Sequence, residues 1–293
     1  MIDSTIIGNL ESLGDRYCSR YLEIWRSDIA ENWWTAFRFF FNHAFMRGRR
    51  DQLSEEYFRY AIVALKEYFC IPDNPVEKDF LKLVRHHSDF IKDFAAIMTF
   101  KISSERKRTA NSIRDGAFNT EITATHPLVN KLVAKSNIHG QRSLNNDRDL
   151  LMVLSSLSFL THQGMPANIH NYIVNQLTAG NTKGVVKAIK EVYAVGDKLS
   201  AFILRDIILM NPNIKAEDQS LAFPIDTWVV KVANRLGCTS EDHAEIRKFF
   251  IDRLEGTSAA KVAAGLWYLG FNSLDILLVN LDKVDMTSWR ERE

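Results

Sequence analysis

Two residues stand where side-chain type and position could support covalent chemistry: Lys198 and Asp226. Lys198 follows the short turn Ala194-Val195-Gly196-Asp197 and opens a helix. A helix N-terminus repels a cation, so a lysine placed there either projects into solvent or is used. The same repulsion, in a partly apolar setting, favours the neutral, nucleophilic amine. Asp226 follows Pro224 and starts another helix. It reads as a simple N-cap, a role that suits aspartate, or as a fixed carboxylate that takes a proton from an amine and stabilises positive charge on a sugar. Taken singly, each residue has an ordinary reading: a solvated lysine and a helix cap.

The elements that must hold this pair are helices. The 293 residues are 46% hydrophobic and contain only 13 Gly and 6 Pro. Sparse turns between long apolar-periodic runs predict an all-α fold. The aromatic-rich stretch Asp28–Met46 predicts a helix buried on several sides, more core than stacking platform. Further helices are predicted from Ser54 to about Phe69 and over Val76–Phe100, Pro127–Ser136, Asp147–Thr161 and Ala167–Leu177. Thr182–Tyr193, the turn at 194–197 and Lys198–Met210 form a helical hairpin. Asn211–Ser220 is a polar loop, and a helix begins near Asp226 and ends at Gly237. Ser240–Leu254, Ser258–Leu269 and Ser273–Leu281 complete the chain.

The hairpin offers a place for an anion, because its turn exposes backbone amides and its second helix presents a positive dipole end. Ala194, Val195, Gly196 and Asp197 are therefore candidate phosphate contacts, although a plain αα-hairpin is the commoner use of such a turn. A second candidate is the basic run containing Lys101, Arg106, Lys107 and Arg108, opposed locally only by Glu105. It reads as a backbone-binding stripe or as a solvated face. The cluster Arg47–Arg50 reads as phosphate contact or surface ion pairs. The formal net charge is +1, so any polyanion footprint must be local.

Several classes lack support. The three cysteines, Cys18, Cys70 and Cys238, lie far apart, read as free thiols and cannot supply a four-cysteine metal or cluster site. The eight histidines show no ligand spacing, so no metal is expected. Phosphate-loop and serine-hydrolase motifs are absent. Neither a secretory signal nor a long apolar stretch occurs, and the expectation is a cytoplasmic, soluble monomer with no membrane partner.

In combination these features are more specific. Val192–Arg205 reads VYAVGDKLSAFILR and Phe223–Gly237 reads FPIDTWVVKVANRLG. The order of hairpin, lysine and Pro-x-Asp helix resembles the helix-hairpin-helix and Gly/Pro/Asp signature of the base-excision DNA glycosylases, over roughly residues 180–270. Val195, Gly196, Lys198, Pro224, Asp226, Val229, Val232, Arg235, Leu236 and Gly237 fall at matching positions. Leu266-Trp267-Tyr268-Leu269-Gly270 is similar to a late helix of several members. Tyr193 and Ala194 stand where the family has Pro and its first Gly, Trp228 replaces a common His, and the iron–sulfur loop is absent. The link from Lys198 to Asp226 is longer than in many members and shorter than in the archaeal oxoguanine glycosylases.

The resemblance implies two helical subdomains flanking a cleft: 1–125 as an N-terminal region that packs with the C-terminal helices, 126–237 with the hairpin (182–210) and the Pro-x-Asp helix (224–237), and 238–293 as C-terminal helices. It implies a bifunctional glycosylase and abasic-site lyase acting on duplex DNA that contains a damaged base, nearest to the oxoguanine branch, with Lys198 and Asp226 catalytic. No cofactor is implied, though the resemblance leaves room for a monovalent cation at the hairpin. The alternatives are a monofunctional glycosylase for alkylated or mismatched bases and an inactive module that only binds DNA or a partner.

Overall fold

The computed structural model describes residues 4–46, 51–85, 127–133, 147–162, 165–214, 216–254 and 256–272. Among them every regular element is helical and no strand occurs. The chain divides into two compact units, Met1–Ile24 with Ala201–Glu293, and Trp25–Ser200. No described helix is long and apolar enough to cross a membrane.

In the unit of the chain ends, α1 (Ser4–Tyr17) buries Ile7, Leu10, Gly14 and Tyr17, a stripe at helical spacing. A π-helical turn, Cys18–Leu22, continues it without a break in helical backbone angles, and α2 (Glu23–Arg26) follows. The stripe lies on α13 (Ala259–Phe271), whose own residues are mostly buried. Two glycines set how close these helices come. A Cβ on Gly265 would stand 1.9 Å from the Leu10 carbonyl oxygen, and one on Gly14 would stand 2.4 Å from that of Lys261. Backbone meets backbone here, and any side chain would force the helices apart. The rest of this core comes from Phe223, Ile225, Val229 and Ala233 at the head of and along α11 (Thr227–Arg235), and from Ile246 and Phe250 of α12 (His243–Ile251).

In the second unit, α3 (Trp33–Phe45) is capped by Asn32, whose side chain accepts from the amides of Trp34 and Thr35. Residues 27–31 are turns, so this helix begins later than its apolar pattern predicts. Asp28 accepts a hydrogen bond from the Thr35 hydroxyl at 2.9 Å instead of joining a helix. Trp33, Trp34, Phe37, Phe39, Phe40, Phe41 and Phe45 are all buried, as the core reading expects. Around α3 stand α4 (Asp51–Tyr68), α5 (77–85), α6 (Pro127–Val133), α7 (Asp147–Leu160) and α8 (Ile169–Thr178). Trp33 donates through Nε1 to the Val76 carbonyl at 3.0 Å and packs on Phe80, and Phe40 stacks on Phe159. The Asn168 and Asn171 side chains donate to the Ile29 and Ala30 carbonyls, closing the turn ahead of α3.

Helix α9 (Thr182–Ile189) ends four residues before its predicted limit, and turns occupy 190–194. Helix α10 (Asp197–Met210) begins one residue early. From Leu199 to Met210 every residue of α10 is buried. Although it carries Ser200, Arg205 and Asp206, α10 is buried on all sides over this stretch, and its exposed residue is Asp197 at the N-terminal end. Helices α11, α12 and α13 lie within a few residues of their predicted bounds. The predicted helix Ser273–Leu281, the end of the predicted Val76–Phe100 and Arg47–Arg50 lie outside the described residues.

The glycine contact gives a direct test. Alanine at Gly265 would gain up to about 1 kcal/mol in helix propensity, but overpacking against a fixed carbonyl costs about 1–3 kcal/mol. The contact is well inside van der Waals range, so the second effect wins. Gly265→Ala should be about 2 kcal/mol less stable than wild type in urea unfolding; equal or greater stability would show that α1 is not held this close to α13.

Candidate functional site

The head of α10 is built by a turn that the local sequence fixes from both sides. Val192 and Val195 are buried anchors, and the Val195 amide donates to the Val192 carbonyl at 3.0 Å. The Tyr193 amide donates to Ser155 Oγ at 2.9 Å. Between the anchors, Ala194 adopts a positive φ of 63°. This left-handed region is unfavourable for a residue with a Cβ. The strain falls at a residue with a side chain, where glycine would adopt the same backbone form without cost.

Gly196 and Asp197 are exposed and Lys198 is half-buried. The hydrogen-bond ladder of α10 begins with the Ser200 amide donating to the Gly196 carbonyl at 3.0 Å. The Ser200 hydroxyl donates to the Gly196 and Asp197 carbonyls. Asp197, in the first turn, suits the helix dipole and pairs with Lys190 at 2.5 Å. Lys198 is the second residue of an otherwise buried helix, at the one end of α10 that solvent reaches.

Asp226 is the N-cap of α11, with extended backbone angles. Its Oδ1 accepts from the amides of both Trp228 and Val229, each at 2.9 Å. The cap uses one carboxylate oxygen and leaves Oδ2 to other work. The residues before it are locked: Phe223, Pro224 and Ile225 are buried, and Arg247 donates through Nε to the Phe223 carbonyl at 2.9 Å. Gly237, at φ 95°, ends the helix. The Cys238 and Gly237 amides there donate back to the Ala233 and Asn234 carbonyls, a Schellman arrangement.

A fully buried charge in the same unit as Asp226 was not singled out by sequence. Arg205, on α10, is fully buried. Its Nε donates to Asp206 Oδ1 at 2.7 Å, and its Nη2 donates to the Tyr17 hydroxyl. That hydroxyl in turn donates to Asp206 Oδ2 at 2.8 Å. The guanidinium lies 4.4 Å from the centre of the Tyr17 ring and 4.5 Å from that of Phe202. Burial pulls the Arg205 ionisation down, and the charges of Asp206, Tyr17 and Asp226 outweigh it, so its pKa lies above the ordinary value. Burial pushes the Tyr17 phenol well up, with Arg205 opposing and Asp206 adding to the shift. Burial likewise pushes the neighbouring Cys18 thiol up to about 11. The signal in the sequence is two adjacent charges, Arg205-Asp206, inside the apolar run FILRDIILM.

Of the residues singled out by sequence, the structure places Ala194, Val195, Gly196, Asp197 and Lys198 together at the head of α10. They belong to the unit Trp25–Ser200, whereas Asp226 belongs to the other. Lys101, Arg106, Lys107 and Arg108 lie outside the described residues. Cys18, Cys70 and Cys238 are free thiols, and the described residues contain no cluster of His, Cys, Asp and Glu that could hold a metal. No protein-family model, curated protein or solved structure matches the chain.

Two measurements test this arrangement. Asp226→Ala should lose about 1 kcal/mol of stability, while Asp226→Asn, an equally good cap, should stay within about 0.5 kcal/mol of wild type. Equal losses for both would show that the cap geometry is wrong. Asp206→Ala strands the Arg205 charge in the interior and should cost about 3–5 kcal/mol in chemical unfolding; a loss below about 1 kcal/mol would mean that the guanidinium reaches solvent.

Proposed function

We propose that the protein is a DNA glycosylase of the helix-hairpin-helix type that removes a damaged, oxidised base and then cuts the strand as an abasic-site lyase. In this reading α9, the turn 190–196 and α10 are the hairpin, and the amides of Ala194 and Gly196, which lie outside the turn's own hydrogen bonds, hold a DNA phosphate. The observation that carries the reading is Ala194 at φ 63°. The turn keeps the backbone form for which the related pattern uses glycine, at a cost in strain, and delivers Lys198 directly behind it.

The chemistry needs a lesion nucleotide swung out of the duplex. The Lys198 amine, as nucleophile, forms a bond to the anomeric carbon of the deoxyribose, and the bond to the base breaks with its electron pair leaving on the base. Opening of the sugar ring and loss of a proton give a Schiff base between Lys198 and the sugar. Removal of a proton from the adjacent sugar carbon then expels the 3′ phosphate by β-elimination, cutting the strand. Asp226, with Oδ1 held by the α11 cap, acts through Oδ2. The role the resemblance gives it is that of a carboxylate that accepts a proton and stabilises the positive charge developing on the sugar.

The test uses duplexes carrying 8-oxoguanine, an oxidised pyrimidine, uracil or an abasic site, incubated with the protein and borohydride. The expected result is a covalent protein–DNA adduct on an oxidised-base duplex, absent in Lys198→Gln. Asp226→Asn should lower the rate about 10²- to 10⁴-fold while keeping its stability, which separates chemistry from capping. Base release without an adduct would remove the lysine from the mechanism and favour a monofunctional enzyme. DNA binding without base release or an adduct would favour an inactive module, and failure to bind any of the duplexes would overturn the DNA reading altogether.

A further inference from the structure

Helix α9 carries a line of positive charge that the hairpin turn does not require. Lys183, Lys187 and Lys190 are spaced i, i+4 and i+7. Lys190 keeps right-handed helical angles beyond the last residue of α9, so the spacing continues unbroken. At helical pitch the three fall within a sector about 60° wide and span about 10 Å. Val185 and Ile189 are buried and occupy the opposite side. Lys183 and Lys187 are exposed, and neither forms an ion pair among the described residues. Lys190 is drawn by Asp197 toward the head of α10. No acidic residue occurs in α9.

Helix electrostatics explain only part of this line. Lys187 and Lys190 sit where the dipole favours cations, but Lys183 is in the first turn, where the dipole disfavours them. Like charges at i, i+4 also cost a helix a few tenths of a kcal/mol. Within α9 no carboxylate relieves Lys183 and Lys187; the acidic residues Glu191 and Asp197 lie beyond its end, and Asp197 pairs with Lys190. The line runs directly to the strained turn at Ala194.

We propose that Lys183, Lys187 and Lys190 form a backbone-tracking surface for duplex DNA, holding the phosphates next to the one taken by the hairpin turn. It rests on the proposed function and extends the DNA footprint along α9. A single DNA strand presents about three phosphates over about 10 Å of duplex axis, which matches three lysines over the same length. Ammonium groups on flexible stems suit this role, because contact with phosphates positions a protein without selecting sequence.

The experiment measures binding of the full-length protein to a short undamaged duplex by fluorescence anisotropy, from about 50 to 200 mM KCl. Each lysine–phosphate contact adds about 0.9 to the slope of log affinity against log salt. The double variant K183A/K187A should therefore lower the slope by about two and weaken binding at least tenfold at the lowest salt. Lys78→Ala, removing an exposed lysine of α5, should leave the slope unchanged. Both replaced side chains are exposed, and K183Q/K187Q removes the same charges with more of the stem kept. An unchanged slope in both double variants, with DNA still bound, would overturn this surface and leave the glycosylase reading standing. A slope that falls equally for Lys78→Ala would also overturn it. Absence of DNA binding by the wild type would overturn both readings together.

Discussion

A guanidinium with no exposed surface has to be neutralised from inside the protein, and Arg205 sets that demand in the middle of α10. Taking such a charge out of water costs several kcal/mol unless geometry repays it. The repayment comes from the next residue in the chain and from two that are distant in it. Asp206 is adjacent, Tyr17 arrives on α1, and Asp226 adds its charge from the cap of α11. Each helix must keep its register for the charge to be met. Tyr17 is the last member of the α1 stripe that begins with Ile7, Leu10 and Gly14. The backbone contact that Gly14 and Gly265 permit is therefore linked, through one helix, to the partner that the guanidinium needs.

This cluster is not the arrangement that maximises stability. Arg205 Nη1 finds no hydrogen-bond acceptor among the described residues, and a well-packed apolar trio of similar volume is often more stable than a buried ion pair. Apolar side chains on α1 and α10 could slide past one another at modest cost, whereas a displaced Tyr17 or Asp206 leaves a buried charge unmet. The constraint bears on the stretch of α10 from Ala201 to Met210, every residue of which is buried.

The sequence makes some of this legible. Apolar periodicity is enough for an all-helical fold and for the buried face of α3. The Asp226 cap is readable because it rests on a local pairing of side chain and amide two and three residues on. The late start of α3 rests on the same kind of local cap at Asn32, but the aromatic run Trp33–Phe45, apolar on nearly every face, hides the boundary from periodicity. What stops the helix is the Asn32 cap together with the Asp28–Thr35 bond. Likewise the early end of α9 depends on Val192 and Val195 being pulled into the core and Tyr193 bonding to Ser155, a partner on another helix. Arg205 escapes notice for a related reason: in a helix buried all round, pattern does not distinguish a charge aimed at solvent from one aimed at the core.

Asp226 is a helix cap, and the bonds it makes as a cap involve only one of its two carboxylate oxygens. A carboxylate has two oxygens, and the α11 amides use one. The cap holds the other in a fixed direction, which a freely rotating carboxylate would have to lose entropy to reach. A group positioned before the reaction acts without reorganising during it. Buried residues on its N-terminal side and a Schellman closure at the far end of α11 hold that helix in turn. In the proposed function this is why a stabilising residue also serves as a proton acceptor: the two amides that make Asp226 a good cap are the ones that aim its free oxygen.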